Sequence, residues 1–249
     1  VHIWSETYDR ELEDIFDIQT DIAERIAAAL HAKLLPKEIE QIERKSTDNF
    51  EAYTFYLKGK QHYYNYTEED NERAIELFKE ALKVDSNYAL ALSGLADAYG
   101  QKVTKYWESP EWIDSMLNLS KKAISINPNL AEGYKSLASA YQSNEENELA
   151  LFNYKKAIEL NPNYWSALLN YGQMQMFDGH SDEAIYWITR AVELSPDDIF
   201  GNISLSMAYR DLNCYKSAIK WAEKAVSLEP DHNYANIHLG ELFMNSGDF

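Results

Sequence analysis

From about residue 50 onward, small and large apolar residues alternate along this chain on a fixed beat. Pro128, Pro162, Pro196 and Pro230 stand 34 residues apart, and Ala123, Ala157, Ala191 and Ala225 lie five residues ahead of them. With each unit numbered so that its proline is position 32, position 27 holds Ala81, Ala123, Ala157, Ala191 and Ala225. Position 20 holds Ala74, Met116, Ala150, Ala184 and Ala218, and position 8 holds Ala96, Ala138, Gly172, Ser206 and Gly240. Large residues fill position 7 (Leu95, Leu137, Tyr171, Leu205, Leu239) and position 11 (Tyr63, Tyr99, Tyr141, Tyr209, Phe243). Positions 4, 7, 8 and 11 share one helical face by their spacing of three and four. Two antiparallel helices reach the short end of the usual separation, about 8 Å, only where the residues between their axes lack bulk. The three small columns supply that contact. Each proline ends the second helix, because it has no N–H for a further turn. The pattern predicts an all-α stack of helical hairpins that holds other molecules instead of transforming them.

These columns resemble the tetratricopeptide repeat at positions 4, 7, 8, 11, 20, 24, 27 and 32, over about residues 50–249. The resemblance implies a right-handed superhelical solenoid of about five and a half repeats: 53–86, 89–130, 131–164, 165–198, 199–232 and a partial 233–249. The first unit departs from the pattern with Lys60 at position 8, Ser86 in place of proline, and two extra residues between Tyr63 and Ala74. The second has Met116 and Ser120 in second-helix columns and eight extra residues, within Gln101–Trp112, that either lengthen its first helix or form a projecting loop. Ser109-Pro110-Glu111 is a helix start, with a capping hydroxyl, a proline and an early acid. The sixth unit stops at Gly247-Asp248-Phe249, and a chain beginning at Val1 reads as a piece of a longer one.

Residues 1–49 fall outside the period. Val1-His2-Ile3-Trp4 can end a strand, Asp14 through Leu35 carries Ile15, Phe16, Ile18, Ile22, Ile26 and Leu30 mostly on one helical face, and Lys37–Lys45 follows Pro36 as a short helix. Ile3 through Arg10, followed by Asp14-Ile15-Phe16 and Ile18 through Ala23, is similar to the end of the TolB-like (FlgO-like) domain. That domain precedes tetratricopeptide repeats in bacterial signalling proteins, including class III adenylate cyclases. The resemblance implies that the long helix caps the first repeat.

A formal charge of −18, from 23 Lys and Arg against 41 Asp and Glu, opposes nucleic-acid and anionic-membrane binding. One cysteine, Cys214, excludes an internal disulfide, and the absence of any 18-residue apolar run excludes a membrane span. The six histidines are scattered without HExxH, and the glycines form no phosphate-binding loop. The sequence therefore predicts no catalytic residue, metal or cofactor, and a cytoplasmic location, or a periplasmic one behind an upstream anchor.

The family's geometry implies that positions 2, 5, 6, 9, 12 and 13 of each first helix line a concave wall. Unit three offers Glu132, Lys135, Ser136, Ser139 and Gln142 there. The candidate partner-binding groove is Leu169, Asn170, Gln173 and Met176 in unit four, Phe200, Ile203, Met207 and Arg210 in unit five, and Tyr234, Ile237 and His238 in unit six. Met and aromatic side chains serve as adaptable anchors, with Asn170 and Gln173 holding peptide backbone. The alternative is that successive first helices pack against each other, or against a missing seventh unit, through these residues. The carboxylate clamp of chaperone-binding relatives is disfavoured, since only Lys58, Lys135 and Asn170 fall in its columns. The expected role is a protein or peptide scaffold, the regulatory arm of a bacterial signalling protein. A non-catalytic part of a nucleotide cyclase and self-association through an open edge at Leu239 and Phe243 are the alternatives.

Overall fold

The computed structural model describes residues 46–105 and 111–246, with Ile22 and Arg25. The described residues contain eleven helices and no strand, as the all-α reading expects. In chain order these are α1 (Phe50–Tyr63), α2 (Glu68–Val84), α3 (Ala89–Thr104), α4 (Glu111–Ile126), α5 (Ala131–Ser143), α6 (Asn147–Leu160), α7 (Trp165–Phe177), α8 (Ser181–Leu194), α9 (Ile199–Asp211), α10 (Tyr215–Leu228) and α11 (Asn233–Ser246). The chain divides into two compact units, residues 1–91 and 92–249. Ile22 and Arg25 are helical. The strand expected at Val1–Trp4, the remainder of the Asp14–Leu35 helix and the TolB-like resemblance lie outside the described residues, as do 106–110 and 247–249.

In the second unit the 34-residue beat resolves into a 13-residue helix, a three-residue turn, a 14-residue helix and a four-residue turn, for α5–α6, α7–α8 and α9–α10. Connections this short reverse the chain, so consecutive helices run antiparallel. Each three-residue turn uses one left-handed residue at the same place: Glu145 (φ 61), Gly179 (φ 84) and Asn213 (φ 58). The following amide then bonds five residues back, Glu146 to Tyr141, His180 to Gln175 and Cys214 to Tyr209, each at 2.9 Å. This wrap satisfies a carbonyl that the helix end would leave bare. The second helices end differently. The first amide past the helix bonds to the position-27 alanine, as Asn161 does to Ala157 and Ser195 to Ala191 at 2.9 Å, and proline follows at the next residue.

The small columns are the helix contacts. Ala150, Ala184, Ala218, Ala123, Ala157 and Ala225 are wholly buried, as are Ala138 and Ser206. At Gly172 an added Cβ would sit 2.6 Å from Ile188 Cγ1 and 3.2 Å from its backbone nitrogen, so α7 and α8 approach as closely as glycine permits. The exception in the second repeat has a compensation. Met116 takes an alanine's place at full burial, and Gly100 opposite leaves room for its methyl, 3.1 Å from where a Cβ would be. Of the eight extra residues between Tyr99 and Met116, α3 takes up three, with 16 residues against 13 in α5, and α4 two, with 16 against 14 in α6. α4 restarts at Glu111, while Ser109 and Pro110 lie outside the described residues.

The first unit corrects the register read from sequence. Gly59 is buried against the Phe78 ring while Lys60 is exposed, so Gly59 and not Lys60 is the packing gap of α1. Tyr66 (φ 55) supplies the left-handed turn after α1. α2 has 17 residues where the second helices α6, α8 and α10 have 14, and this added turn of helix absorbs the longer Tyr63-to-Ala74 spacing.

Candidate functional site

The first helices of the second unit are tied to one another by a polar ladder that the sequence did not reveal. Between α3 and α5, Lys135 Nζ lies 3.1 Å from Asp97 Oδ1, with side chains 7% and 11% exposed. Between α5 and α7 the bridge comes from α6. The buried Tyr154 hydroxyl donates to Gln142 Oε1 at 2.9 Å, accepts from Asn170 Nδ2 at 3.2 Å, and lies 3.0 Å from Ser139 Oγ. Between α7 and α9, Gln173 Nε2 donates to Ser204 Oγ at 2.8 Å. Between α9 and α11, Ser206 Oγ donates to the Ala218 carbonyl at 2.7 Å, so His238 Nε2, 3.0 Å away, is the donor to that hydroxyl.

This ladder decides what the predicted wall residues do. Asn170 and Gln173 spend amide hydrogens on neighbouring repeats, and Lys135 is paired with Asp97, as a clamp lysine could not be. Leu169, Met176, Ile203 and His238 are at most 5% exposed, so they pack between helices, as the alternative reading of these columns holds. Phe200, Met207 and Arg210 are half-buried. Phe200 meets the His232 ring edge-on at 6.0 Å and the Lys105 ammonium at 5.9 Å, and Arg210 pairs with Asp211 at 3.0 Å. Tyr234 and Ile237 stand out from α11 at 51% and 61% exposure. The Tyr234 ring stacks 6.4 Å from the His238 imidazole, and its hydroxyl lies 3.6 Å from Met207 Sδ. Of the predicted groove, the structure thus gathers Met207, Tyr234 and Ile237 with an accessible surface. At the suggested open edge, Leu239 packs half-buried beside Ala218, Ala222 and Leu242, while Phe243 is partly exposed.

Tyr154 and Asp97 were missed. The signal for Tyr154 was a polar-tipped ring at position 24, where the next two repeats carry Ile188 and Ala222. Burial raises the Tyr154 pKa above its usual value, with the Lys135 charge and the Ser139 and Asn170 hydrogen bonds opposing. Burial also pushes the His238 pKa below its ordinary 6.5, helped by the Arg210 charge and opposed by Glu241 and Asp211. The folded state therefore favours neutral imidazole, and this contribution is whole above the unfolded value of about 6.5 and lost as pH falls through the folded one. Amide exchange of α11 is expected to quicken as pH drops below about 6.5, after correction for intrinsic rates. In His238→Gln that added acid dependence should vanish, and its persistence would remove His238 as the cause.

Among the described residues no three His, Cys, Asp or Glu side chains are grouped to hold a metal, and no helix is long and apolar enough to cross a membrane. Family models of the tetratricopeptide repeat match residues 131–164, 153–186 and 202–232. The fold matches a thermophilic TPR protein of Thermus thermophilus, with a TM-score of 0.62, 22% identity, and coverage of 78% of this chain and 99% of that one. It also matches MamA of Desulfovibrio magneticus RS-1, with a TM-score of 0.51, 21% identity, and coverage of 63% and 86%. A curated Rhizobium meliloti (strain 1021) protein named "Putative adenylate cyclase 3" is 28% identical over 141 residues, 56% of this chain. That match spans 24% of the relative's length.

Proposed function

We propose that these tetratricopeptide repeats form a partner-binding scaffold, the regulatory arm of a larger signalling protein, which grips a peptide or protein segment against the first helices of its fifth and sixth repeats. The observation behind this reading is the exposure of Tyr234 and Ile237 on α11, the last described helix, where Ile237 holds the column that a following first helix buries at Leu169 and Ile203. Beside them Met207 offers an adaptable thioether, and His238 and Ser206 hold the floor rigid beneath. Apolar side chains presented from an ordered floor lose little freedom when a partner covers them. Affinity capture from cell extract tests the reading, with Tyr234→Ser/Ile237→Asp expected to reduce recovery of the specific partner by about tenfold or more, as loss of a central anchor does. Far-UV circular dichroism should be unchanged. Equal recovery with both proteins would sink it.

The Rhizobium meliloti relative favours a second reading, in which the same scaffold belongs to a nucleotide cyclase and the chemistry lies elsewhere in the polypeptide. Cyclic-nucleotide production by the full-length protein would support it. The 28.8 kDa chain should bind the partner but produce no cyclic nucleotide under either reading.

A further inference from the structure

The opposite face of the second unit, formed by the second helices, carries an unexpected charge. On α10, Lys216, Lys220 and Lys224 follow one another at intervals of four and so lie on one side of the helix. Like charges at this spacing repel on a helix surface. Among the described residues none of the three has an ion-pair partner, a state they share with Lys121, Lys155 and Arg190, although the chain holds 41 acids against 23 Lys and Arg. The ammonium groups of Lys220 and Lys224 instead flank the Trp221 ring at 5.8 and 5.3 Å. Trp221 itself is half-buried against the core beneath α8 and α10.

In the neighbouring repeats the Lys224 column stays basic with Arg190 and Lys156, whereas the Lys216 column carries Asp182 and Glu148. Tyr186 on α8 and Phe152 on α6 occupy the column of Lys220, at 56% and 67% exposure. Two exposed aromatic rings and an uncompensated row of lysines therefore share the outer sides of three successive helices. The inter-repeat ladder uses none of these side-chain ends; the Tyr186 ring meets Trp187 edge-on at 4.9 Å and lies 6.0 Å from the Arg190 guanidinium.

We propose that this outer strip of α6, α8 and α10 is a second docking surface, taking an acidic segment of a protein partner with apolar residues set among its carboxylates. The carboxylates would pair with Lys216, Lys220 and Lys224, and the apolar side chains would cover Phe152 and Tyr186. The chain's net charge does not forbid this. At physiological ionic strength charges beyond about 8 Å are largely screened, so a bound segment feels the lysine row, with Glu223 beside it on α10, more than the acids elsewhere on the chain.

The test uses the folded chain and two fluorescent peptides, one alternating Glu with Leu and Phe, the other its counterpart with Lys for Glu. Fluorescence anisotropy should show the acidic peptide binding about tenfold tighter or more, with weakening as salt rises. Lys220→Glu/Lys224→Glu should abolish that preference, Lys220→Gln/Lys224→Gln should reduce it, and Ile237→Asp on the other face should leave it intact. Trp221 emission should change on binding the acidic peptide and not the basic one. Equal binding of the two peptides, or an acidic-peptide affinity indifferent to both lysine pairs, would overturn the proposal. Tighter binding of a short DNA duplex than of the acidic peptide would also overturn it.

Discussion

Lys135→Met is expected to destabilise the second unit by about 3–5 kcal/mol, the cost of leaving a buried charge uncompensated. The Lys135 side chain is 7% exposed and reaches an Asp97 carboxylate whose side chain is 11% exposed, so water can replace little of the lost attraction. The contact at 3.1 Å is an ion pair without the directionality of a hydrogen bond, and its value lies in charge neutralisation. Replacing both partners, in Lys135→Met/Asp97→Leu, should recover most of the loss, since an apolar pair of similar bulk needs no compensation. Denaturant midpoints check this, provided the slope stays constant. In a repeat stack each unit depends chiefly on its neighbours, so faster amide exchange should concentrate in α3 and α5. A single variant within about 1 kcal/mol of wild type, or a double no better than the single, would show that the pair is not the tie between these repeats.

The 34-residue beat made the hairpins legible because sterics tie a small residue to each close crossing, and sterics leave a periodic trace. Ala150, Ala184 and Ala218 could be placed at helix contacts from spacing alone, and they are wholly buried. Where the period broke, legibility broke with it. Placing Tyr63 at position 11 puts Lys60 at the gap that Gly59 fills, while the added residues form the extra turn of α2. Met116 looked like a defect until Gly100 appeared opposite it, a compensation between residues 16 apart that no single column records. The wall was harder for another reason. Asn170, Gln173 and His238 carry groups that serve a partner or a neighbouring repeat equally well, and only their distances to Tyr154, Ser204 and Ser206 distinguish the two. Leu169 and Ile203 are covered by the next first helix, whereas Tyr234 and Ile237, in the same set of wall columns, lie on the last described helix.

Ile188→Ala should cost about 2–5 kcal/mol, the loss of a buried branched side chain plus the cavity left behind. Ile188 is wholly buried, and it fills the notch made by Gly172 on the facing helix. The same closeness predicts that Gly172→Ala destabilises by about 1–3 kcal/mol by overpacking, although alanine favours helix over glycine by about 1 kcal/mol. The added methyl would stand 2.6 Å from Ile188 Cγ1, and the Ile188 nitrogen at 3.2 Å and the Ala184 carbonyl oxygen at 3.3 Å limit how far α8 can yield. Combining the two substitutions separates these effects. In Gly172→Ala/Ile188→Ala the new methyl enters the space the isoleucine vacated, so the double variant should be more stable than the sum of the single losses predicts, by about 1 kcal/mol or more. Strict additivity would mean that α7 and α8 relax apart independently at this crossing, and that the glycine column does not set their separation.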